Sequence, residues 1–437
     1  MGLKEFCSSS KSKQRTSLQV TITWTLLCTS AICLAARNET RQRVILISVD
    51  GFRWDYKNYE GYNMTNLHTM IENGVTVDYV KNVFPTNTYP NHQSIVTGLY
   101  PENHGIIDNR MFDPTNGTIF EPGVKDERWW NKAEPLWITN QKQGFLSGVG
   151  YWPGYEVTWN GTRANLTFEG SPPYVKDNKK SLNFNKRVDT AVKWLEKCKN
   201  VTFVALYFEE PDATTHDHGA DSNKTKVKDL FKTALSNVDL AIGHLIEKLN
   251  SSYLLNETNI IIIGDHGSMN TSHEKVIDID KYVDSVKTMR YLAGFTYASV
   301  WPKAGKLMEI YNKLKGKNPH LKVYLRKEIP EVFHIKKCNR TAPLILMPDP
   351  GWIISAKKEK VPYLKEDFCR GEHGYTNMCR KMNPGFLAFG PAFKKKFEKE
   401  SIESVDIYEL ICRILGIKPN KNDGKLERTK DFLVKDL

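Results

Sequence analysis

An α/β fold with a mostly parallel central sheet flanked by helices is what the sequence predicts, and three observations predict it. The run Val44-Ile45-Leu46-Ile47-Ser48-Val49 is short and β-branched and ends at Asp50-Gly51. The run from Asn259 to Ile263 passes through Gly264 to Asp265-His266-Gly267, and Val201 to Phe208 leads into Glu209-Glu210-Pro211-Asp212. Nearly continuous apolar runs of this length are the mark of strands buried on both faces. Between the last two, Val227, Leu230, Phe231, Ala234, Leu235, Val238, Ile242, Leu245 and Leu249 recur at intervals of three and four, the spacing of an amphipathic helix. Strand, helix, strand implies parallel pairing, with the functional residues gathered at the strand ends.

The 437 residues are 40% apolar and 26% charged, with 28 Gly, 20 Pro and 11% aromatics, which excludes collagen-like, coiled-coil and wholly disordered classes. A formal charge of +12 suits an anionic partner without naming one. From Arg43 onward no internal repeat, heptad array or Gly/Ser linker interrupts the chain, so 41–437 reads as a single domain. Tyr151 to Asn185, rich in Gly, Pro, Trp and Tyr, reads as a surface insertion of the kind that lines a pocket. The tail from Lys394 to Leu437 is Lys-rich with one amphipathic stretch, Val405 to Leu415, and reads as a solvated face.

Residues 1–40 read as an address. Lys11, Lys13 and Arg15 precede an uncharged stretch from Thr16 to Ala36, the pattern of a signal peptide or a signal anchor. The basic flank keeps the N-terminal side cytosolic, so the chain beyond is expected to be secreted or to stand on the extracellular face as a type II protein. Sequons begin at Asn38, Asn63, Asn116, Asn160, Asn165, Asn200, Asn223, Asn250, Asn256, Asn270 and Asn339, in agreement with that route. Beyond the leader lie Cys198, Cys338, Cys369, Cys379 and Cys412, an odd set whose connectivity stays open; a Cys369–Cys379 bridge would staple the loop around His373.

Polar ligands stand where these strands end. Asp50 ends the first, Asp212 and His216 follow Val201–Phe208 at i and i+4, and Asp265 and His266 end the Ile-rich run. His373 lies in Gly371-Glu372-His373-Gly374-Tyr375. Three Asp and three His suit a pair of zinc ions, because imidazole and carboxylate together match that borderline cation. Each pair taken singly is more often a helix cap or a satisfied loop pair; the weight lies in all of them following core strands or turns. Pro90 to Thr97, closed by Gly98, predicts a short helix, with Thr88 at its positive end. Beside a divalent cation that hydroxyl becomes a nucleophile at neutral pH.

At this point the sequence resembles the ectonucleotide pyrophosphatase/phosphodiesterase family of the alkaline phosphatase superfamily. The resemblance rests on Ser48-Val49-Asp50-Gly51-Phe52-Arg53, on Tyr89-Pro90-Asn91-His92 and Thr97-Gly98-Leu99-Tyr100-Pro101-Glu102-Asn103-His104-Gly105, on Glu210-Pro211-Asp212 with His216, on Asp265-His266-Gly267 and on His373-Gly374-Tyr375. It implies an alkaline phosphatase-like core and a zinc phosphodiesterase that releases nucleoside 5′-monophosphates from nucleotides or dinucleoside polyphosphates. Thr88 would be the nucleophile and share one zinc with Asp50, Asp265 and His266, while Asp212, His216 and His373 would hold the second. A phospho-threonine intermediate would form, with the Asn109 amide donating to a phosphate oxygen.

The resemblance also makes Tyr89 a base-stacking aromatic and Trp152, in Trp152-Pro153-Gly154, a pocket wall, with Tyr174 standing in for a second stacking ring that Asp177 replaces. Asn87 stands where a lysine is usual, which removes a positive charge near the phosphate. Three other activities compete: a phospholipid or choline-ester phosphodiesterase of the same family, an alkaline phosphatase-like monoesterase, and an inactive glycosylated surface binding protein. No dedicated nucleic-acid-binding module is evident, and membrane attachment would run through the N-terminal segment.

Overall fold

The computed structural model describes residues 42–58, 64–169, 183–221, 225–356 and 369–435. Its largest element is an eight-stranded sheet made of β1 (Arg43–Val49), β2 (Val75–Lys81), β3 (Leu146–Gly150), β4 (Leu166–Thr167), β5 (Val201–Phe208), β6 (Thr258–Ile263), β7 (Phe386–Phe389) and β8 (Phe397–Glu403). In space the order is β8-β2-β7-β6-β1-β5-β3-β4. All neighbouring pairs are parallel except those made by β7, which runs against β2 and β6. The three apolar runs of the sequence are thus the adjacent central strands β6, β1 and β5, and every residue of each is buried.

Helices cover both faces: α1 (Thr65–Asn73), α2 (Thr88–Thr97), α3 (Phe184–Lys197), α4 (Asp212–His218), α5 (Thr225–Ser251) and α6 (Asp406–Leu415). In α5, Phe231, Ala234, Leu235, Val238, Ile242, Leu245 and Leu249 face the core as their spacing predicts, but Leu230 turns outward. Helix α2 begins at Thr88, two residues before its predicted start, and ends at Gly98, whose φ of +68 and N–H bond to Ser94 O form the left-handed cap.

A second, four-stranded antiparallel sheet lies between residues 289 and 348, in the order Met289–Ala293, Ala298–Pro302, Leu344–Pro348, Leu321–Leu325. The helix Leu307–Leu314 packs on it around Val300, Ile310, Leu314, Leu344 and Leu346. The loop between its first two strands reaches the residues that matter for function, because Thr296 Oγ1 donates to the carbonyl of His373.

Three expectations need correction. Of the stretch 151–185 read as a surface insertion, residues 170–182 lie outside the described residues; within 151–169, Tyr151, Trp152, Tyr155 and Phe168 join the main core, and β4 adds an edge strand to the sheet. Large aromatics bury too much apolar area to be left on a surface loop. The Cys369–Cys379 staple is not formed, since Cys379 carries a free thiol, as do Cys338 and Cys412, while Cys198 is disulfide-bonded. The tail is not merely a solvated face; it supplies β8, which pairs with β2 and alternates exposed with half-buried residues over Phe397–Ser401, and α6, which is buried along most of its length. No helix among the described residues is long and apolar enough to cross a membrane, and residues 16–36 lie outside them. Asn200 is 8% exposed with its amide nitrogen given to Gly144 O at 2.9 Å, so that sequon is folded into the protein.

Candidate metal centre

Asp50, Asp265 and His266 leave the ends of core strands, Asp212 and His216 sit on α4 just beyond β5, and the backbone carries the sheet ladder past the end of β1. Asp50 N bonds Phe208 O at 2.8 Å, and Asp212 N bonds Asp50 O at 3.1 Å. Gly51 turns the chain there at φ +69, and a Cβ on it would lie 2.9 Å from Asp212 Cβ, so glycine is what lets the first and third segments meet. The loop that carries Asp212 is tied down by Arg187 of α3, which is buried and donates both to Tyr207 O and to the Glu209 carboxylate at 2.6 Å. His373 follows Cys369–Glu372, a strand paired antiparallel with Met269–Ser272 just beyond Asp265 and His266.

The six side chains converge. His266 Nε2 lies 3.2 Å from Asp50 Oδ1, 3.2 Å from Asp265 Oδ2 and 3.3 Å from Thr88 Oγ1. The His266 and His373 rings stack at 3.6 Å. His216 Nε2 lies 3.1 Å from His373 Nε2 and 3.1 Å from Asp212 Oδ2, and His373 Nε2 is 3.9 Å from Asp212 Oδ1. Two sets of ligand atoms lie within 4.8 Å of one another: Asp50 with Asp265 and His266, and Asp212 with His266 and His373.

The donor chemistry fits a metal. Among the described residues, Asp50 Oδ1, Asp212 Oδ1 and Asp265 Oδ2 are buried without a hydrogen-bond partner, and all three belong to this cluster. A buried carboxylate oxygen left bare is costly unless a cation takes it. The imidazoles are set in the matching tautomer: His266 Nδ1 faces Gly267 O at 3.0 Å and His373 Nδ1 faces Thr86 O at 3.1 Å. A carbonyl can only accept, so each Nδ1 carries the proton and each Nε2 turns its lone pair to the carboxylates.

Electrostatics agree. Burial raises Asp50 well above the usual carboxylate range, and Asp265 and Asp212 add their charges. Burial likewise pushes Asp265 up to about 8 against the N–H of Gly51. At Asp212 burial also acts upward, but His216 and His373 outweigh it and hold the carboxyl well below its ordinary value. Burial would lower His216, yet the Asp212 carboxylate lifts it to about 9, while for His373 burial prevails and brings it to about 4. Crowded, buried carboxylates and imidazoles need positive charge among them, which protons supply in the metal-free protein and a cation would supply in their place.

Around this cluster the other candidates fall out unequally. Asn109 Oδ1 accepts from Tyr89 N at 2.8 Å, which leaves its amide N–H groups as donors. Asn87 Nδ2 is spent on Asp108 Oδ1 at 2.7 Å. Tyr89 is 3% exposed, its hydroxyl accepting from Gly123 N and its ring set among Phe120 and Trp130. Trp152 is fully buried and edge-on to His92 at 4.9 Å, so it braces the centre from behind and is not a pocket wall. Tyr174 and Asp177 lie outside the described residues. Sequence reasoning missed His92, which is buried with Nδ1 at 2.8 Å from Thr88 O and Nε2 at 2.8 Å from Ser48 Oγ. Its signal was position: four residues after Thr88 on one helix face.

A centre of this kind on this sheet defines a hydrolase of the alkaline phosphatase-like fold. Comparison with known proteins gives the family. The family model described as “Type I phosphodiesterase / nucleotide pyrophosphatase” matches residues 44–376, and the chain belongs to that family. The bis(5′-adenosyl)-triphosphatase enpp4 of Mus musculus is 39% identical over 395 residues, covering 90% of this chain and 81% of that protein. The ectonucleotide pyrophosphatase/phosphodiesterase family member 5 of Homo sapiens is 37% identical over 398 residues, covering 90% and 78%. Among solved structures, an inactive form of murine ectonucleotide pyrophosphatase/phosphodiesterase 5 in complex with AMP matches with a TM-score of 0.81 at 38% identity, over 90% of this chain and all of that one.

Proposed function

We propose that the protein is an extracellular zinc phosphodiesterase that cleaves nucleotides or dinucleoside polyphosphates to nucleoside 5′-monophosphates through a phospho-threonine intermediate. One observation carries this: from Asn82 to Gly98 every residue is buried except Thr88, whose hydroxyl stands 3.3 Å from His266 Nε2 beside both ligand sets. In support, one similar protein is named a bis(5′-adenosyl)-triphosphatase and another was solved with AMP. The leader-like segment and the sequons support an extracellular setting.

Asp50, Asp265, His266 and Thr88 would hold one zinc, and Asp212, His216 and His373 the other. Bound there, the ions supply Lewis acidity that lowers the pKa of a coordinated hydroxyl and offsets charge on a reacting phosphoryl group. Thr88 is the first residue of α2, where the helix dipole favours an anion. Its Oγ forms a bond to phosphorus as the bond to the leaving oxygen breaks; water then hydrolyses the threonine ester, restoring the hydroxyl and releasing the monophosphate. The free Asn109 N–H groups donate to a nonbridging oxygen, and Tyr89, with Tyr174, is assigned to the base.

The test is a zinc-loaded substrate panel. A dinucleoside triphosphate should be cleaved to a nucleoside 5′-monophosphate well ahead of nitrophenyl phosphate and of a lysophospholipid. Preference for the lipid or the monoester overturns the assignment.

Metal removal has a signed pH dependence. In the metal-free protein His216 and Asp265 hold their protons more tightly folded than unfolded, so their stabilisation is complete below their unfolded values and fades as pH rises through about 8 and about 9. Zinc binding requires the deprotonated ligands and removes that loss. The Tm gap between zinc-loaded and chelator-stripped protein should therefore widen from pH of roughly 6.5 to about 9. A gap that stays constant or narrows contradicts this.

A further inference from the structure

Strand β5 is buried along its whole length, so the phenol of Tyr207 needs a partner inside the protein. The register places it opposite Ser48 on β1, one step before the Val49–Phe208 pair and next to the end of β1. From there its hydroxyl donates to Asp50 Oδ2. Tyr207 is 4% exposed and Asp50 2%. The other oxygen, Asp50 Oδ1, is the one 3.2 Å from His266 Nε2, and it has no hydrogen-bond partner among the described residues.

The phenol is held in place as firmly as the carboxylate. Its ring meets the His92 ring edge-on at 5.4 Å, and His92 is fixed by Thr88 O and by Ser48 Oγ, each at 2.8 Å. A carboxylate with one oxygen claimed in this way has one orientation, and its bare oxygen points into the cluster.

We propose that Tyr207 is a positioning residue of the metal centre: its hydroxyl sets the rotation of the Asp50 carboxylate so that Oδ1 alone is offered to the ion shared with Asp265 and His266. This rests on the zinc assignment given above. Phenylalanine fills nearly the same volume, so Tyr207→Phe deletes the hydrogen bond and keeps the packing. Outer-sphere partners of metal ligands are worth roughly 10–100-fold in metal affinity.

The experiment is zinc titration against a competing chelator for wild type, Tyr207→Phe, Asp50→Asn and the double variant, with Tm of each metal-free protein alongside. Tyr207→Phe should hold one of the two ions about 10–100-fold more weakly and the other unchanged. In the Asp50→Asn background the same change should have no further effect on zinc. A purely structural hydroxyl would instead lower the metal-free Tm and leave zinc affinity as in wild type, and that result overturns the proposal. So does a full, additive loss in the double variant. If wild type itself takes up no zinc, the metal assignment falls and this proposal with it; if wild type binds and Tyr207→Phe matches it, this proposal falls alone.

Discussion

Thr88→Ala should abolish turnover, with kcat falling by roughly 10⁵–10⁶-fold, the order of loss when the nucleophile is removed from an otherwise preorganised site. The fold should hardly notice. Thr88 opens α2 and is the one residue from Asn82 to Gly98 that is not buried, and its side-chain oxygen touches His266 Nε2 at 3.3 Å. Alanine is the better helix former at that position, so the metal-free stability should move by no more than about 0.5 kcal/mol. Thr88→Ser keeps the oxygen and should retain measurable activity. The decisive pairing is turnover of a dinucleoside triphosphate with thermal melting of the same preparations. An alanine variant with activity within about tenfold of wild type would remove Thr88 from the chemistry.

Asp212→Asn should be nearly as damaging for a different reason. Asp212 Oδ2 is 3.1 Å from His216 Nε2, its Oδ1 is bare and 3.9 Å from His373 Nε2, and the residue is buried. The amide keeps the shape and removes the charge, so the cluster loses the carboxylate that binds both imidazoles. Zinc should drop from two per chain to one and kcat by at least about 10³-fold, since one of the two ions that would offset charge on the reacting phosphoryl group would no longer be held. The metal-free protein should be little affected, because the lost attraction to His216 is offset by relief of Asp50, which Asp212 repels. Zinc content by elemental analysis, read beside activity, checks this; two retained ions with full activity would contradict it.

What could be read in the sequence and what could not divide along a physical line. Strands β1, β5 and β6 are buried on both faces, so their residues are apolar almost without interruption and their ends are sharp. Asp50, Asp265 and His266 follow those ends within three residues and Asp212 within four, which makes most of the centre legible in the sequence. Strand β8 was not, because this edge strand alternates exposed Glu398 and Glu400 with half-buried Phe397, Lys399 and Ser401 and looks like a charged tail. The second sheet, Met289 to Pro348, escaped for a related reason: strands such as Leu321–Leu325 carry Lys322 on an outward face and bury only every other residue. Tyr207 and His92 were hidden more deeply. Both are polar groups inside patterns that read as core, and only three-dimensional contact shows that one addresses Asp50 and the other Thr88. Tyr89 marks the opposite limit, since the resemblance assigns it to a nucleobase while its surroundings are an aromatic cluster that packing alone would account for.

The central claim is that two zinc ions sit where three bare carboxylate oxygens and three imidazoles meet. Anomalous diffraction from crystals of the zinc-loaded chain, recorded on either side of the zinc edge, tests it most directly. The account predicts two peaks per chain, one within reach of Asp50, Asp265, His266 and the Thr88 hydroxyl, the other among Asp212, His216 and His373. No peak in the cluster, or zinc held only at sites elsewhere on the surface, would contradict it.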